Sequence, residues 1–353
     1  MQEFLFRHGI KDKVLAVGVS GGADSLALVL KVKQELTVFG YKIIALTVNH
    51  NLRPSAAKEA DYVAHIMAQY NIEHHILEWT ADKPESGLEE AARLARYTLM
   101  KEWCESHKVQ NLMVAHHLLD QAETFLMRLQ RGSGLDGLCS IREVSNWNGL
   151  NILRPLLHTH PQELKNYLRQ QNIQWVEDES NQDTKYLRNR VRKFLPLLEQ
   201  NIDISAAKID EAVQNLQSAE EYIEEQVKNI VAEQIKCYAD TVYAFRYSNF
   251  LKWHKEIKFR ILSRICRKAY IPRADSVMLA IKNMSSLPFS GITLGGKEIF
   301  LAYGQIFVVP ELQAKHKASR KAWEEYIKNN LQYQKIRLPH KARIAILEKH
   351  NAV

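Results

Sequence analysis

Short apolar segments and amphipathic segments alternate along the first 130 residues of the chain. The apolar segments are rich in Val, Ile and Leu, which is typical of buried parallel strands, and we predict strands at residues 14–19, 43–48, 73–77 and 112–115. The amphipathic segments predict one helix directly after the first strand and its loop, and further helices over residues 56–70, 89–107 and 121–130. This alternation predicts an α/β fold whose parallel sheet is covered on both faces.

The pattern changes after about residue 200. Apolar positions recur at helical spacing from Ile209 to Ile230, and a second helix is predicted over residues 255–268. Three short strands separated by glycines are expected at residues 292–294, 298–301 and 306–309. We therefore predict an α/β domain over residues 1–203, a mostly helical domain with a small β-hairpin over 204–330, and a C-terminal tail over 331–353.

The composition is that of an ordinary globular protein. Of 353 residues, 46% are hydrophobic and 25% are charged. No apolar run is long enough to predict a transmembrane helix, and the first residues lack the apolar core of a secretory signal. The four cysteines are scattered without a C-x-x-C pair, which argues against a disulfide framework and a cysteine-based metal site. We expect a cytoplasmic protein with no membrane partner.

Positive charge is concentrated near the C-terminus. The net charge is +8, and residues 241–353 contain 21 basic and 7 acidic residues, whereas residues 1–200 are balanced. Residues 252–273 alone contain eight basic residues and one acidic residue. Such an excess favours a polyanion such as RNA as the partner, although a solvated helix surface explains it equally well by composition.

A glycine-rich loop follows the first strand. The loop Ser20-Gly21-Gly22-Ala23-Asp24-Ser25 can present backbone amides, helix N-terminal amides and two hydroxyls to phosphate. Asp24 would repel phosphate unless a divalent cation lies between them. An ordinary strand-to-helix turn is the alternative. The loop lacks the lysine of a Walker A motif and the GxGxxG pattern, which argues against kinases, GTPases and NAD enzymes.

A second polar cluster follows the fourth predicted strand. His116 and His117 precede Asp120 and Glu123, whose spacing of three places both carboxylates on one helix face. The pair could hold an ammonium ion or accept its proton. Spacing alone favours a helix-capping role, and a metal site formed by His116, His117 and Asp120 is a further alternative.

The loop SGGADS resembles the SGGxDS loop of the PP-loop ATP pyrophosphatases, which have a Rossmann-like parallel sheet. The segments HHLLDQAET and RLQRGSG resemble the HHxxDxxET…RGSG region of one branch, the tRNA(Ile)-lysidine synthetases. Further similar segments, in the same order, are VNHNLR (48–53), EAARLARY (90–97), LRPLL (153–157), DESN (178–181), YLRNRVR (186–192) and TLGG (293–296).

This resemblance implies a ligase that adenylates the C2 oxygen of cytidine 34 in the CAU anticodon of tRNA(Ile) with ATP and Mg²⁺. Free L-lysine then displaces AMP and leaves lysidine. Asp24, Asp120 and Glu123 would be catalytic, residues 20–25 would bind ATP, and Asp120 with Glu123 would bind lysine. Nucleotide or tRNA contacts are expected from His50, Arg53, Arg93, Arg96, His116, Arg188, Asn189, Arg190 and Arg192. Both a monomer and a homodimer are left open.

The chain departs from the family pattern at three positions. Leu119 replaces a frequent Asp, Glu179 replaces the usual Pro, and Asn51 replaces a Gly where Asn can still adopt a left-handed backbone. Two alternative functions share parts of the pattern. A tRNA thiolase would need catalytic cysteines, and a non-enzymatic tRNA- or nucleotide-binding protein would not need all three carboxylates.

Overall fold

The computed structural model of the chain describes residues 1–51, 55–84, 86–177, 185–267, 271–289, 291–311, 320–330 and 336–350. The predicted Arg53, Glu179 and Lys268 lie outside these residues. The chain divides into two compact units, Met1–Ser218 and Ala219–Val353. The predicted domain boundary near residue 203 stays a prediction.

The first unit contains one six-stranded sheet. Its strands are β1 (Val14–Gly18), β2 (Lys42–Asn49), β3 (Glu73–Glu78), β4 (Asn111–Met113), β5 (Val144–Trp147) and β6 (Leu150–Leu153). They are arranged in the order β3-β2-β1-β4-β6-β5, and all neighbours are parallel except β5 and β6. This confirms the predicted parallel α/β sheet and adds an antiparallel pair at one edge.

Helices cover both faces of this sheet. The helices of this unit are α1 (Gln2–Arg7), α2 (Ala23–Leu36), a 3₁₀ turn (Thr37–Phe39), α3 (Ser55–Gln69), α4 (Leu88–Ser106), α5 (Leu118–Gln130), α6 (Leu135–Leu138), α7 (Pro161–Gln170), α8 (Leu187–Ile202) and the start of α9 (Ala206–Gln234). Helix α8 and the start of α9 pack on α5.

Alternate residues of the central strand enter two different cores. Leu15 and Val17 pack with residues of α2, α3 and α7, whereas Ala16 packs with residues of α4. Because β1 is buried on both faces, its sequence is a continuous apolar run.

The second unit contains a five-stranded antiparallel sheet. Its strands are β7 (Lys236–Tyr238), β8 (Val242–Arg246), β9 (Ile292–Leu294), β10 (Lys297–Ala302) and β11 (Gln305–Pro310), in the order β7-β8-β11-β10-β9. Its helices are the rest of α9, α10 (Tyr247–Lys252), α11 (Lys255–Ile265), α12 (Ala274–Met284), α13 (Arg320–Asn329) and α14 (His340–Lys349). The predicted helical region with a hairpin is confirmed, and its sheet is larger than expected.

The two faces of this smaller sheet also carry separate cores. Ile306 and Val308 of β11 pack with residues of α11 and α12, whereas Phe307 and Val309 pack with residues of α13 and α14. Helix α14 therefore contributes buried side chains within the segment that was expected to form a tail.

Candidate active site at the carboxyl edge of the parallel sheet

The strand order changes direction next to β1. Strands β2 and β3 follow on one side of β1, and β4 lies on its other side. In sheets of this kind the crevice at such a switch point, beyond the carboxyl ends of the strands, is where ligands bind. The loops that follow β1 and β4 carry the two polar motifs of the sequence, so the fold brings both motifs to this crevice.

The glycine loop has little room for side chains. Gly21 has φ +83°, and a Cβ atom there would lie 3.2 Å from Val63 Cγ2 and 3.6 Å from Val176 Cγ2. The Gly21 carbonyl accepts a hydrogen bond of 3.0 Å from the Val176 backbone N–H. Any side chain at Gly21 would be strained, so glycine is required here for both conformation and space.

Hydrogen bonds of Ser20 and Ser25 stabilise the turn that leads into α2. The Ser20 backbone N–H donates to Ser25 Oγ at 3.1 Å, and Ser25 Oγ donates to the Gly22 carbonyl at 3.0 Å. Gly22 is the N-cap of α2 and has no side chain to satisfy the first-turn amides. The amides of Ala23, Asp24 and Ser25 are therefore placed as an anion site at a helix N-terminus.

A buried histidine stands between two carboxylates. His117 Nε2 lies 3.6 Å from Asp24 Oδ2, and His117 Nδ1 lies 3.5 Å from Asp120 Oδ2. The Asp120 backbone N–H donates to Nδ1 at 3.4 Å, and the opposite ring nitrogen, Nε2, faces Asp24. This contact connects the phosphate loop to the acidic pair of α5.

Asp120 has a capping role as well as a charged partner. Its Oδ2 atom accepts from the His117 backbone N–H at 3.0 Å, which completes a capping box at the start of α5. Its Oδ1 atom accepts from Arg188 Nη2. The capping interpretation of the sequence therefore describes one oxygen of Asp120, and the other oxygen faces a cation.

Two arginines of α8 contact Glu123. Arg188 Nε donates to Glu123 Oε2 at 2.6 Å, and Arg192 Nε donates to Oε1 at 2.7 Å. The Glu123 side chain is completely buried, whereas each arginine side chain is about one-third exposed. The acidic pair is thus a cation site that is filled here by guanidinium groups.

The local electrostatics separate the carboxylates. Burial raises the pKa of Asp24, and this effect exceeds the opposing influence of His117, Lys165 and Arg192. Burial also disfavours ionised Asp120, but the charges of His117 and Arg188 outweigh it and lower the pKa of Asp120. Asp120 is therefore the more readily ionised of the two.

Two histidines near the crevice are held neutral. Burial lowers the pKa of His116 to about 3 and that of His50 to about 4. Arg96 Nε donates to His50 Nε2 at 3.4 Å, and the His50 ring meets Trp79 edge-on at 5.7 Å. The nearby Asn51 has φ +51°, which confirms the left-handed backbone expected there.

The remaining residues that were predicted to contact nucleotide or tRNA have different environments. Arg93 lies over the Tyr97 ring at 5.2 Å, Asn189 is buried on α8, and Arg190 is exposed and donates to the Lys185 carbonyl at 2.9 Å. Sequence reasoning did not single out Lys165, whose charge acts on Asp24. Only the fold reveals it, because the amphipathic pattern of α7 contains no motif.

The described residues offer little support for a metal site or a reactive cysteine outside the phosphate loop. Within them, no group of three His, Cys, Asp or Glu side chains is arranged to hold a metal ion. Cys104, Cys139 and Cys266 are buried, and burial raises the pKa of Cys104 and Cys266 to about 12. Such thiols remain protonated at neutral pH, which disfavours the thiolase alternative.

The basic segment of the second unit is partly neutralised. Arg260 is buried and forms ion pairs with Glu220, Glu224 and Glu256, and Arg264 pairs with Glu224. Among the described basic residues of this segment, Lys252, Lys255, Arg264, Arg267 and Arg273 are exposed, and Arg264 is held in this network, so fewer cations are available for phosphate than the sequence suggests. No helix in the described parts of the chain has the length and apolarity to cross a membrane.

Comparison with known proteins identifies the family of the chain. The PP-loop domain family matches residues 2–199. The U34-tRNA thiolase NcsA of Methanococcus maripaludis, solved with its [4Fe-4S] cluster, superposes with a TM-score of 0.53 and 18% identity, covering 61% of this chain and 76% of the thiolase. At this identity the likeness concerns the fold alone.

Three curated relatives extend the comparison. The tRNA(Ile)-lysidine synthase of Wolbachia pipientis is 35% identical over 87% of this chain and 74% of its own length. That of Bradyrhizobium diazoefficiens is 30% identical over 87% and 92%, respectively. That of Orientia tsutsugamushi is 42% identical over 51% of this chain, but only 41% of its own length is matched. The chain belongs to the PP-loop domain family and, within it, to the tRNA(Ile)-lysidine synthases.

Proposed function

We propose that this protein uses ATP to attach free L-lysine to C2 of cytidine 34 in the CAU anticodon of tRNA(Ile), forming lysidine. The observation that carries the proposal is the junction of the phosphate loop with the acidic pair. Asp24 and Asp120 lie on opposite sides of His117, so an ATP phosphate site and a cation site are neighbours. A reaction that joins an activated nucleotide to an amine requires both sites together.

The phosphate loop binds the ATP phosphates. The first-turn amides of α2 and the Ser20 hydroxyl donate to the oxygens of the departing pyrophosphate, while the Ser25 hydroxyl keeps its hydrogen bond to the Gly22 carbonyl and stabilises the loop. Asp24 Oδ1 is buried without a hydrogen-bond partner in the described part of the chain, which fits a ligand for Mg²⁺. Bound there, Mg²⁺ would neutralise phosphate charge while the C2 oxygen of cytidine attacks the α-phosphorus.

The acidic pair binds the lysine side chain. The ε-ammonium takes the position of the Arg188 guanidinium beside Asp120, while Arg192 remains on Glu123. The lowered pKa keeps Asp120 ionised, so its carboxylate holds the ammonium by a charge-assisted hydrogen bond and lies within reach of the proton that the ammonium must lose. The free amine then attacks C2 of the adenylated cytidine, and AMP leaves.

The neutral rings at the sheet edge are suited to contact nucleotide. A base from an anticodon loop can be turned out of its stack and read along its edges. We assign His50, Arg93, Arg96 and His116 to the nucleotide side of the crevice. Since His50 and His116 are uncharged at neutral pH, they offer hydrogen bonds without repelling Arg96.

The direct test combines the full chain with ATP, labelled lysine and a tRNA(Ile) transcript. We expect label in one nucleoside at position 34, and pyrophosphate release that depends on the tRNA. A transcript with U34 in place of C34 is the matched control and should receive no label. Pyrophosphate release without any lysine-labelled nucleoside would contradict the proposal and favour another PP-loop modification.

Asp24 provides the second test. Asp24→Ala should abolish pyrophosphate release while tRNA binding persists, because the loop would lose its cation ligand. Asp61→Ala on the exposed side of α3 is the control and should behave like the wild type. Normal ATP turnover by Asp24→Ala would remove the phosphate loop from the mechanism.

A further inference from the structure

The outer face of α8 combines apolar and basic side chains. Tyr186, Phe194 and Leu197 are 48%, 52% and 49% exposed, respectively. Arg190 and Lys193 are exposed as well. We call these five residues the α8 strip.

The strip lies along one side of the helix. At about 100° per residue, its four helical members Arg190, Lys193, Phe194 and Leu197 fall within an arc of about 100°. The stretch from Tyr186 to Leu197 covers about 16 Å at about 1.5 Å per residue. Large exposed apolar side chains arranged in a continuous row mark an interaction surface more often than isolated ones do.

The opposite side of the same helix faces the active site. Arg188 and Arg192 lie on that side and contact Asp120 and Glu123. The strip is consequently about one helix diameter, roughly 10 Å, from the acidic pair. A ligand that reaches the acidic pair with one group can cover the strip with its neighbouring parts.

The charge of the strip restricts the ligand. It carries two cations and no acid, and the one acidic residue between positions 186 and 202, Glu199, lies on the other side of the helix by helical geometry. A symmetric contact between two copies would place four cations together, and protein interfaces are usually depleted in Lys. Phosphates would instead pair with Arg190 and Lys193, and aromatic side chains are suited to stack on bases.

We propose that the α8 strip is a stacking platform for single-stranded RNA and binds the anticodon-loop nucleotides next to cytidine 34. This inference rests on the proposed function. It adds Lys193, Phe194 and Leu197, which lie outside the family-like segment 186–192, and it gives Tyr186 and Arg190 of that segment a stacking and a phosphate-binding role. Tyr186 and Phe194 stack on unpaired bases, Leu197 extends the apolar surface, and Arg190 and Lys193 neutralise the phosphates between them.

The test measures binding of a labelled anticodon stem-loop to the full chain without ATP or lysine. Phe194→Ala and Tyr186→Ala should each weaken binding about tenfold, since loss of a base–aromatic stack has an effect of this order. Phe39→Ala is the matched control, because Phe39 is also an exposed phenylalanine but lies beyond the C-terminal end of α2, far from the phosphate loop. It should leave the dissociation constant unchanged.

Salt dependence tests the cations of the strip. Lys193→Gln should reduce the slope of log affinity against log salt by about 0.7, the change expected for one phosphate contact on a single strand. Lys108→Gln is the control, because Lys108 is exposed and precedes β4 at the opposite edge of the sheet. Thermal melting should show that all these exposed substitutions leave the fold intact.

The outcomes separate this inference from the function on which it rests. If the wild type makes lysidine and Phe194→Ala binds the stem-loop as tightly as Phe39→Ala does, the platform is refuted and the function stands. If Phe194→Ala instead converts a dimer to a monomer with unchanged RNA affinity, the strip is a contact between copies and the platform is again refuted. If the wild type neither binds the stem-loop nor forms lysidine, both proposals fail.

Discussion

Helices α8 and α11 have similarly basic sequences and different uses for their charge. On α8, two arginines pair with the buried acids of the candidate active site, while Arg190 and Lys193 of the strip are exposed on the outer face. On α11, Arg260 and Arg264 pair with Glu220 and Glu224 of α9. The number of basic residues along a helix therefore does not predict which of their side chains reach solvent and which lie at a ligand site.

The ion pairs of the two helices differ in their surroundings. The α8 pairs lie at the switch point of a parallel sheet, beside an anion site and a buried histidine, where a substrate can replace one partner. The α11 pairs join two helices of one unit, and Arg260 is only 5% exposed there. The same type of ion pair therefore lies at the candidate active site in α8 and joins two packed helices in α11.

The largest expected effect comes from neutralising Glu123. Glu123→Gln keeps the shape but removes the charge that holds Arg188 and Arg192, and hydrogen bonds to charged groups contribute about 1.5–3 kcal/mol each. Lysine transfer should fall at least about 100-fold, while adenylation of tRNA, followed by pyrophosphate release, persists.

Glu224→Gln is the control for this comparison, because Glu224 contacts two arginines in the α11 network. Its lysine transfer should remain normal. The proposal is contradicted if Glu123→Gln has an unchanged lysine KM and a lower melting temperature. The acidic pair would then have only a structural role, as the ion pairs of α11 have.

The next largest effect should be on stability. Arg260→Gln leaves Glu220, Glu224 and Glu256 without their shared buried cation, and removing one partner of a buried ion pair costs about 3 kcal/mol. Chemical denaturation should show this loss in the free energy of unfolding. The stem-loop affinity should stay unchanged, whereas a tenfold loss of affinity without destabilisation would show that Arg260 contacts RNA.

A third ion-pair network should respond to pH, unlike the two arginine networks. Hydrogen bonds to Asp210 and Glu143 raise the pKa of His158 to about 9. Because the folded pKa is above the ordinary value near 6.5, the stabilisation is complete below pH 6.5 and is lost as the pH rises through 9. The His158 side chain is 38% exposed, so we expect a loss of only about 1 kcal/mol.

Denaturant unfolding between pH 6.5 and 9.5 measures this effect. The decline should disappear in His158→Gln and persist in Arg260→Gln, since guanidinium groups keep their charge over this range. If His158→Gln declines like the wild type, the proton is lost from another group and the assignment to His158 is wrong.

The smallest effect concerns the outward cations of the second unit. Lys255→Gln and Arg267→Gln should each reduce the salt slope of full-length tRNA binding by about 0.9 if they contact duplex phosphates. Neither should alter binding of the isolated stem-loop. An unchanged slope for the full-length tRNA would mean that the basic segment is only a solvated surface, and the α8 strip would then be the main RNA contact known from this fold.

Local patterns were sufficient for the parallel sheet and for the turn between β9 and β10. Strands β1 and β2 are buried on both faces, and continuous apolar runs are the direct sequence mark of that burial. Gly295 and Gly296 adopt φ +60° and +73°, a conformation that glycine favours strongly, so the hairpin was visible in the sequence. The glycine loop of residues 20–25 was likewise recognisable from residue types alone.

One turn and one helix whose sequences lack such signals were not predicted. The turn between β7 and β8 uses Ala239 and Asp240 at φ +50° and +52°, and neither residue is typical of that conformation as a pair. Helix α8 contains Pro196, which normally argues against a continuous helix. Tertiary packing stabilises both elements despite an unfavourable local sequence.

The sequence by itself determined the α/β fold, the phosphate loop and the acidic pair, because glycines, strand burial and residue spacing are local properties. Only the tertiary structure decided that His117 stands between Asp24 and Asp120, and that Arg188 and Arg192 fill the acidic pair. It also decided that α11 pairs its arginines with α9, while Arg190 and Lys193 lie on the exposed face of α8. Ion pairing depends on which elements meet across the fold, and charge spacing along one helix carries no information about its neighbours.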